Sequence, residues 1–88
     1  MDKIDIALFE VKDELLRAMT KFPVGFNSFH EGYAVILEEL EELKDEVFKK
    51  STKEARVIQG KAALRAEAVQ VAAMSIRFIV DLTDERDI

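Results

Sequence analysis

The sequence centres on an acidic segment, Glu38-Glu39-Leu40-Glu41-Glu42-Leu43-Lys44-Asp45-Glu46, in which six of nine residues are acidic and one is basic. Apolar residues recur through this region at spacings of three and four, which is typical of an amphipathic helix. They are Tyr33, Ile36, Leu40, Leu43 and Val47. The segment therefore predicts a helix with one apolar stripe and a crowded acidic face.

The crowding of carboxylates in this segment carries an energetic cost. Like charges three or four residues apart on a helix destabilise it by about 0.2–0.5 kcal/mol per pair. Glu38 and Glu42 form one such pair, and Glu39 and Glu42 form another. A bound divalent cation would reverse the sign of this interaction, since magnesium is held through carboxylate oxygens. The alternative is an ordinary solvated charged face.

Length and composition restrict the class of protein. The chain has 88 residues, of which 49% are hydrophobic, and this predicts a single globular domain. So short a chain buries only about 60% of its unfolded surface, so a partner subunit would stabilise it. The absence of cysteine excludes disulfides and thiolate metal sites, and it favours a cytoplasmic location.

Charge and hydropathy exclude two kinds of partner. A net charge of −5 lacks the basic footprint of a protein that binds duplex nucleic acid. The longest apolar-rich run, residues 66–82, is interrupted by charged and amide side chains, so it does not predict a membrane span. Residues 1–5 carry charges of both signs and no apolar stretch follows, so no signal peptide is predicted.

Capping signals divide the chain into helices. Asp2 predicts the start of a first helix that runs to about Lys21 and has one buried apolar stripe. Ser28 and Glu31 form a capping box that starts a second helix, ending near Lys50. A second capping box in residues 51–54 and a break at Gly60 precede a third helix over about residues 61–82. The stripe of the first helix is Ile4, Leu8, Val11, Leu15 and Met19, with Leu16 beside it. We expect an all-α antiparallel bundle of about three to four helices, completed by oligomerisation.

The loop between the first two helices, residues 22–27, is aromatic. Phe22 and Phe26 lie on it, and Phe29 and Tyr33 follow at helical spacing. These rings are either a stacking platform for a nucleobase, with Phe26 as the candidate contact, or a hydrophobic plug that closes one end of a helix pair.

The third helix is apolar on nearly every side, which is typical of a central helix or one covered by another subunit. Its polar residues Glu67, Gln70, Arg77 and Asp81 fall in one narrow strip. Glu67 also lies at helical spacing with apolar residues, and a buried carboxylate is costly unless it is paired or bound to a metal. The alternative is that the strip is the exposed line of this helix.

An antiparallel pairing of the second and third helices joins the two acidic elements. Glu39 and Glu42 can then face Glu67 and Gln70. Three carboxylates and one amide oxygen form an oxygen-only site, which suits magnesium or manganese and not zinc.

These residues resemble a known family. Residues 38–42 match the EExxE motif of the MazG-like all-α nucleoside triphosphate pyrophosphohydrolases, and residues 67–70 occupy the position of their second motif, ExxD. The resemblance spans about Phe29 to Leu82, and residues 29–33 and 67–74 resemble short members found in phages and prophages.

The resemblance implies magnesium-dependent cleavage of a nucleoside triphosphate into a monophosphate and pyrophosphate by a homodimer or homotetramer. Carried over by position, Glu39, Glu42 and Glu67 would hold the metal, with Gln70 in the fourth position. Glu38 would bind a second ion or orient the attacking water. Basic residues that follow the second helix could contact the phosphates, although the family pattern does not fix which of them. These are Lys53, Arg56, Lys61 and Arg65, and the alternative for all four is ordinary solvation.

Gln70 departs from the family motif, which has Asp at this position. An amide oxygen can ligate a cation but brings no charge, so it would weaken ion affinity. The sequence therefore leaves open a second class of function, a non-catalytic helical module that binds a nucleotide or a protein partner. A purely structural dimeric bundle is a third alternative.

Overall fold

The computed structural model describes residues 1–49 and 61–85, and within them all regular structure is helical. Helix α1 is Lys3–Lys21, α2 is Phe29–Val47 and α3 is Ala62–Phe78. Helix α3 continues into a π-helical turn, Ile79–Thr83. The described residues contain no strand, so the predicted all-α class is confirmed.

The predicted helix starts are observed, with one change of partner. Asp2 and Asp5 form a full capping box at α1, since each side chain accepts from the backbone of the other. At α2, the Glu31 amide donates to Ser28 Oγ at 3.1 Å. The Glu31 carboxylate does not complete the box. It accepts instead from the backbone and side-chain nitrogens of Asn27, each at 3.2 Å.

The end of the second helix and the start of the third lie close to the predicted residues. Helix α2 ends at Val47, slightly before the predicted Lys50. Lys61 is the N-cap of α3 without a side-chain hydrogen bond, which agrees with a start near Lys61. The predicted second capping box in residues 51–54 and the break at Gly60 lie outside the described residues.

Helix α3 is the centre of the bundle and packs on both other helices. Contacts of α1 with α3 progress in the same chain direction, from Glu10 and Arg65 to Phe22 and Arg77, so these two helices are parallel. Contacts of α2 with α3 progress in opposite directions, from Gly32 and Phe78 to Glu39 and Glu67. The predicted antiparallel pairing of the second and third helices is therefore observed.

Little apolar surface is buried within one chain. Among the described residues, the buried hydrophobic side chains are Ala73 and Met74. Gly32 permits a close approach of α2 to the third helical segment, because a Cβ there would lie 2.6 Å from Cδ2 of Phe78 and 2.9 Å from Cδ1 of Leu82. The missing side chain therefore leaves room for two large apolar side chains against α2.

The predicted buried stripes are therefore only partly covered. Val11 and Leu15 of α1 are half-buried, as are Ile36 and Leu43 of α2. Other members of both stripes are exposed in this chain, because α3 packs on the neighbouring line of each helix. These exposed members are Ile4, Leu8, Met19, Tyr33, Leu40 and Val47.

The polar strip of α3 faces inward. Arg77 is buried, and Glu67, Gln70 and Asp81 are half-buried. The alternative that this strip is the exposed line of α3 is thus wrong. No described helix combines the length and the hydropathy that crossing a membrane requires.

Candidate functional site

The antiparallel packing of α2 and α3 brings three carboxylates together. One oxygen each from Glu39, Glu42 and Glu67 lies within 4.8 Å of the other two. Glu39 and Glu42 are three residues apart on α2 and therefore neighbours on its surface, and Glu67 reaches them from α3. We call these three residues the acidic cluster.

The environment of the acidic cluster opposes full ionisation. Burial, the charge of Glu42 and a hydrogen bond shared with Glu42 together raise the pKa of Glu39 to about 7, with burial as the largest cause. Burial and then Glu42 also raise the pKa of Glu67. The Oε2 atom of Glu67 is buried and accepts no hydrogen bond from the described residues. A buried acceptor without a donor costs about 1–3 kcal/mol, so a proton or a cation at this point would stabilise the fold.

The donor set of the acidic cluster fits a hard divalent cation. It offers only carboxylate oxygens, which are ligands for magnesium and manganese. Two oxygens on opposite sides of magnesium lie about 4 Å apart, since each Mg–O distance is about 2.1 Å. At most one pair of three ligands can be opposite, and neighbouring ligands lie about 3 Å apart, so the three oxygens, all within 4.8 Å of one another, would move closer together to share one ion.

Gln70, the predicted fourth ligand, also lines the cleft beside Glu39, but its amide nitrogen is bonded to α1. Its Nε2 donates to Oε1 of Glu14 on α1 at 2.7 Å. Glu14 also pairs with Arg17 at 3.2 Å. Sequence reasoning missed Glu14, because its contact with α3 depends on how the helices pack and no local motif marks it.

A cleft of about 780 Å³ adjoins the acidic cluster. Glu38, the predicted catalytic residue, and Glu39 line it, so the cleft and the cluster share one residue. Phe26, the predicted substrate contact, is half-buried in its wall. The remaining lining includes Ala18, Lys21, Phe22, Pro23, Val24, Val35, Gln70, Met74 and Arg77. This size is typical of a small-molecule site.

The aromatic residues divide between the two predicted roles. Phe22 and Phe26 line the cleft, where a ring can contact a ligand. Phe29 packs on Phe78 with ring centroids 6.3 Å apart, which is the contact of a hydrophobic plug. Tyr33 is exposed and outside the cleft lining.

The basic candidates are dispersed. Lys61 is exposed at the start of α3. Arg65 donates to both carboxylate oxygens of Glu10, at 2.7 and 3.0 Å, so its guanidinium already has an anionic partner. Lys53 and Arg56 lie outside the described residues. Lys21 is a cleft-lining cation that sequence reasoning did not select, and its Nζ lies 5.4 Å from the Phe22 ring centroid.

Arg77 is a third residue whose role the sequence did not reveal. Its NH2 group donates to the carbonyl oxygens of Phe22 at 2.6 Å and Val24 at 3.0 Å. Its Nε donates to Oδ2 of Asp81 at 3.1 Å. The carbonyl acceptors lie more than fifty residues away in the chain, so no local spacing marks this contact.

Comparison of the chain with protein-family models, with curated proteins and with solved structures found no match. The site is therefore assigned from its own geometry: an oxygen-only acidic cluster between α2 and α3 that opens onto a cleft walled by the aromatic loop.

Proposed function

We propose that the protein is a MazG-like, magnesium-dependent nucleoside triphosphate pyrophosphohydrolase. It would convert a ribo- or deoxyribonucleoside triphosphate and water into the monophosphate and pyrophosphate. The observation that carries the proposal is the convergence of Glu39, Glu42 and Glu67, in which the buried Oε2 of Glu67 accepts no hydrogen bond from the described residues.

The proposed roles follow from position. Glu39, Glu42 and Glu67 would hold the ion, which when bound neutralises polyphosphate charge and polarises the phosphoryl group. Glu38 lines the cleft beside Glu39, where its carboxylate can orient a water molecule or accept its proton. Little covalent chemistry is required of the protein, because phosphoryl transfer depends mainly on positioning and charge stabilisation.

The cleft supports a nucleotide as the substrate. A triphosphate held at Glu39 would leave the sugar and base to extend along the cleft towards Phe26. Lys21 lines the cleft, so its ammonium group could contact a phosphate there. Arg65 is instead paired with Glu10. Lys53, Arg56 and Lys61 remain predictions for the phosphate tail.

A homodimer or homotetramer is part of the proposal. In the described residues, large apolar side chains are exposed on α1, on α2 and on the π-helical turn after α3, including Leu8 at 60%, Tyr33 at 64% and Ile79 at 57%. Covering them in an oligomer would stabilise it by about 25 cal/mol for each Å² of apolar surface buried. Sedimentation of the folded protein should give a multiple of 10.0 kDa. A folded monomer at micromolar concentration would contradict this part.

The engagement of Gln70 supports a second candidate function. Its amide donates to Glu14, so the position that carries Asp in the family motif here has a neutral side chain bound to α1. A site with one charge fewer binds its ion more weakly. The alternative is a module that binds a nucleotide with magnesium but does not cleave it.

The deciding experiment is a panel of the common ribo- and deoxyribonucleoside triphosphates, incubated with magnesium and assayed separately for pyrophosphate and for orthophosphate. We expect pyrophosphate and the monophosphate from at least one member. Glu42→Gln and Glu67→Gln should each reduce the rate by at least about a hundredfold, since each removes a ligand charge.

Glu41→Gln is the matched control, because Glu41 lies on the same helix, is exposed and is not in the acidic cluster. It should retain the wild-type rate. Nucleotide binding without product over hours would support the binding module, and full activity in Glu67→Gln would refute the assigned site.

A further inference from the structure

The Phe22–Asn27 loop is attached to the end of α3 and to the π-helical turn after it by two charged side chains. Arg77, only 5% exposed, is the buried charged residue of the described ranges. It donates to the carbonyls of Phe22 and Val24, and its guanidinium carbon lies 5.6 Å from the Phe26 ring centroid. We call Arg77 and Asp81 the loop clamp.

Asp81 completes the attachment from the other side. Its Oδ2 accepts from Nε of Arg77 at 3.1 Å and from the backbone nitrogen of Phe26 at 3.2 Å. Gly25 allows this approach, because a Cβ at Gly25 would lie 2.8 Å from Asp81 Oδ2. Three backbone groups of one short loop are thus held by a single ion pair between α3 and the π-helical turn that follows it.

The loop so held is one wall of the cleft. All its residues line the cleft, and Glu39 of the acidic cluster lines it too. Fixing the loop on α3 therefore fixes how far its aromatic and apolar side chains lie from the carboxylates. If the anionic group of a ligand is bound at the acidic cluster through a cation, the rest of the ligand contacts this wall.

We propose that Arg77 and Asp81 are positioning residues that hold the loop as the binding wall for the nucleoside half of a nucleotide. This rests on the proposed function, because the triphosphate half must be bound at the acidic cluster. Three of the five N–H donors of Arg77 are directed at the loop and at Asp81, so the main action of the clamp is on the loop. Its effect is on base and sugar affinity, and the affinity for the polyphosphate tail is independent of it.

Two ligands separate these halves. Inorganic tripolyphosphate with magnesium presents only the tail, and a non-hydrolysable α,β-methylene nucleoside triphosphate presents tail and nucleoside together. Calorimetric titration of the wild-type protein with tripolyphosphate and with analogues of the four common bases gives the contribution of the nucleoside as a ratio of affinities.

Two variants disturb the clamp in different ways. Arg77→Lys keeps the charge but loses the fork that reaches both carbonyls and Asp81. Gly25→Ala removes no charge and places a methyl group against Asp81, so it remains informative if Arg77→Lys folds poorly. Arg17→Lys is the control, because Arg17 is exposed and does not line the cleft.

We expect the wild-type protein to bind the best analogue at least about tenfold more tightly than tripolyphosphate. Both clamp variants should lose about tenfold of that advantage, while their affinity for tripolyphosphate stays unchanged. Arg17→Lys should retain the wild-type ratio.

Other outcomes overturn the inference in distinguishable ways. Equal losses for both ligands would show a general structural role, and an unchanged ratio would show that the clamp does not shape the nucleoside site. Equal wild-type affinity for both ligands would refute the nucleoside wall but leave the acidic cluster intact. Binding of neither ligand would refute the proposed function as well.

Discussion

Glu67 and Arg77 are two inward-facing charged residues on the same helix, and the chain surrounds them in opposite ways. Arg77 has an anionic partner and two carbonyl acceptors. Glu67 has neighbouring carboxylates, and its Oε2 accepts no hydrogen bond from the described residues. A charge with its partners in place stabilises the fold as it stands, whereas a charge among like charges requires something from solution.

The contrast predicts effects of opposite sign when each charge is removed, and the largest effect belongs to the clamp. Arg77→Met should lower the free energy of unfolding by about 3–5 kcal/mol, because Asp81 and two loop carbonyls lose their partner. Urea denaturation measures this, with Arg17→Met as the exposed control. A loss below about 1 kcal/mol would contradict the view that the clamp holds the loop.

Neutralising Glu67 should act in the other direction. Without divalent cations, Glu67→Gln should raise the free energy of unfolding by about 1–2 kcal/mol, since it removes charge repulsion at close range. Magnesium at a hundred times its dissociation constant should stabilise the wild-type protein by about 2.7 kcal/mol and the variant hardly at all. Thermal unfolding with magnesium and with a chelator tests both.

Glu41→Gln again provides the control, and it should keep the response of the wild-type protein to magnesium. An equal response to magnesium in Glu67→Gln would remove the distinction between the two charged regions.

Gln70→Asp sharpens the comparison, because it adds a charge where the family motif has one. Here it should lower the free energy of unfolding by about 1–2 kcal/mol, since Glu14 loses a donor and gains a like charge nearby. Urea denaturation of Gln70→Asp alone and together with Glu14→Gln tests this. The loss should disappear in the double variant. An increase in stability of the single variant would mean that Gln70 is not committed to Glu14.

The most gradual effect is a pH dependence of the acidic cluster. The raised pKa values of Glu39, about 7, and of Glu67 mean that the folded state binds these protons more tightly than the unfolded state. Without metal, stability contributed by the protonated forms should therefore fall as pH rises from about 4.5 to about 7. Magnesium should oppose the fall, because it requires the deprotonated carboxylates.

Melting temperatures between pH 5 and 8, with chelator and with magnesium, measure this slope. Arg65 lowers the pKa of Glu10. The stability contributed by this pair therefore changes with pH only below about 4.5, outside the window. Metal-free stability that rises across the window in the wild-type protein, but not in Glu67→Gln, would contradict the assigned protonation.

What the sequence predicts well is local. Asp2 and Ser28 start their helices as expected, because a cap is a contact between residues three apart. The acidic cluster was also predictable, since Glu39 and Glu42 share a face and only the antiparallel orientation of α3 had to be added.

What the sequence does not predict depends on which line of each helix meets α3. The Glu14–Gln70 bond and the clamp on the loop join groups that are more than fifty residues apart and are brought together only by helix packing. Periodicity predicts which face of α1 and α2 is apolar. It does not predict which residues of that face the neighbouring helix covers. Leu8 and Leu40 therefore remain exposed in the single chain.

Direct titration of magnesium at pH 7.5 into the wild-type protein, Glu67→Gln and Glu41→Gln tests the central claim. Saturable binding should occur in the wild-type protein and in Glu41→Gln and be lost in Glu67→Gln. The same binding in all three proteins, or no binding in the wild-type protein, would contradict a cation site formed by Glu39, Glu42 and Glu67.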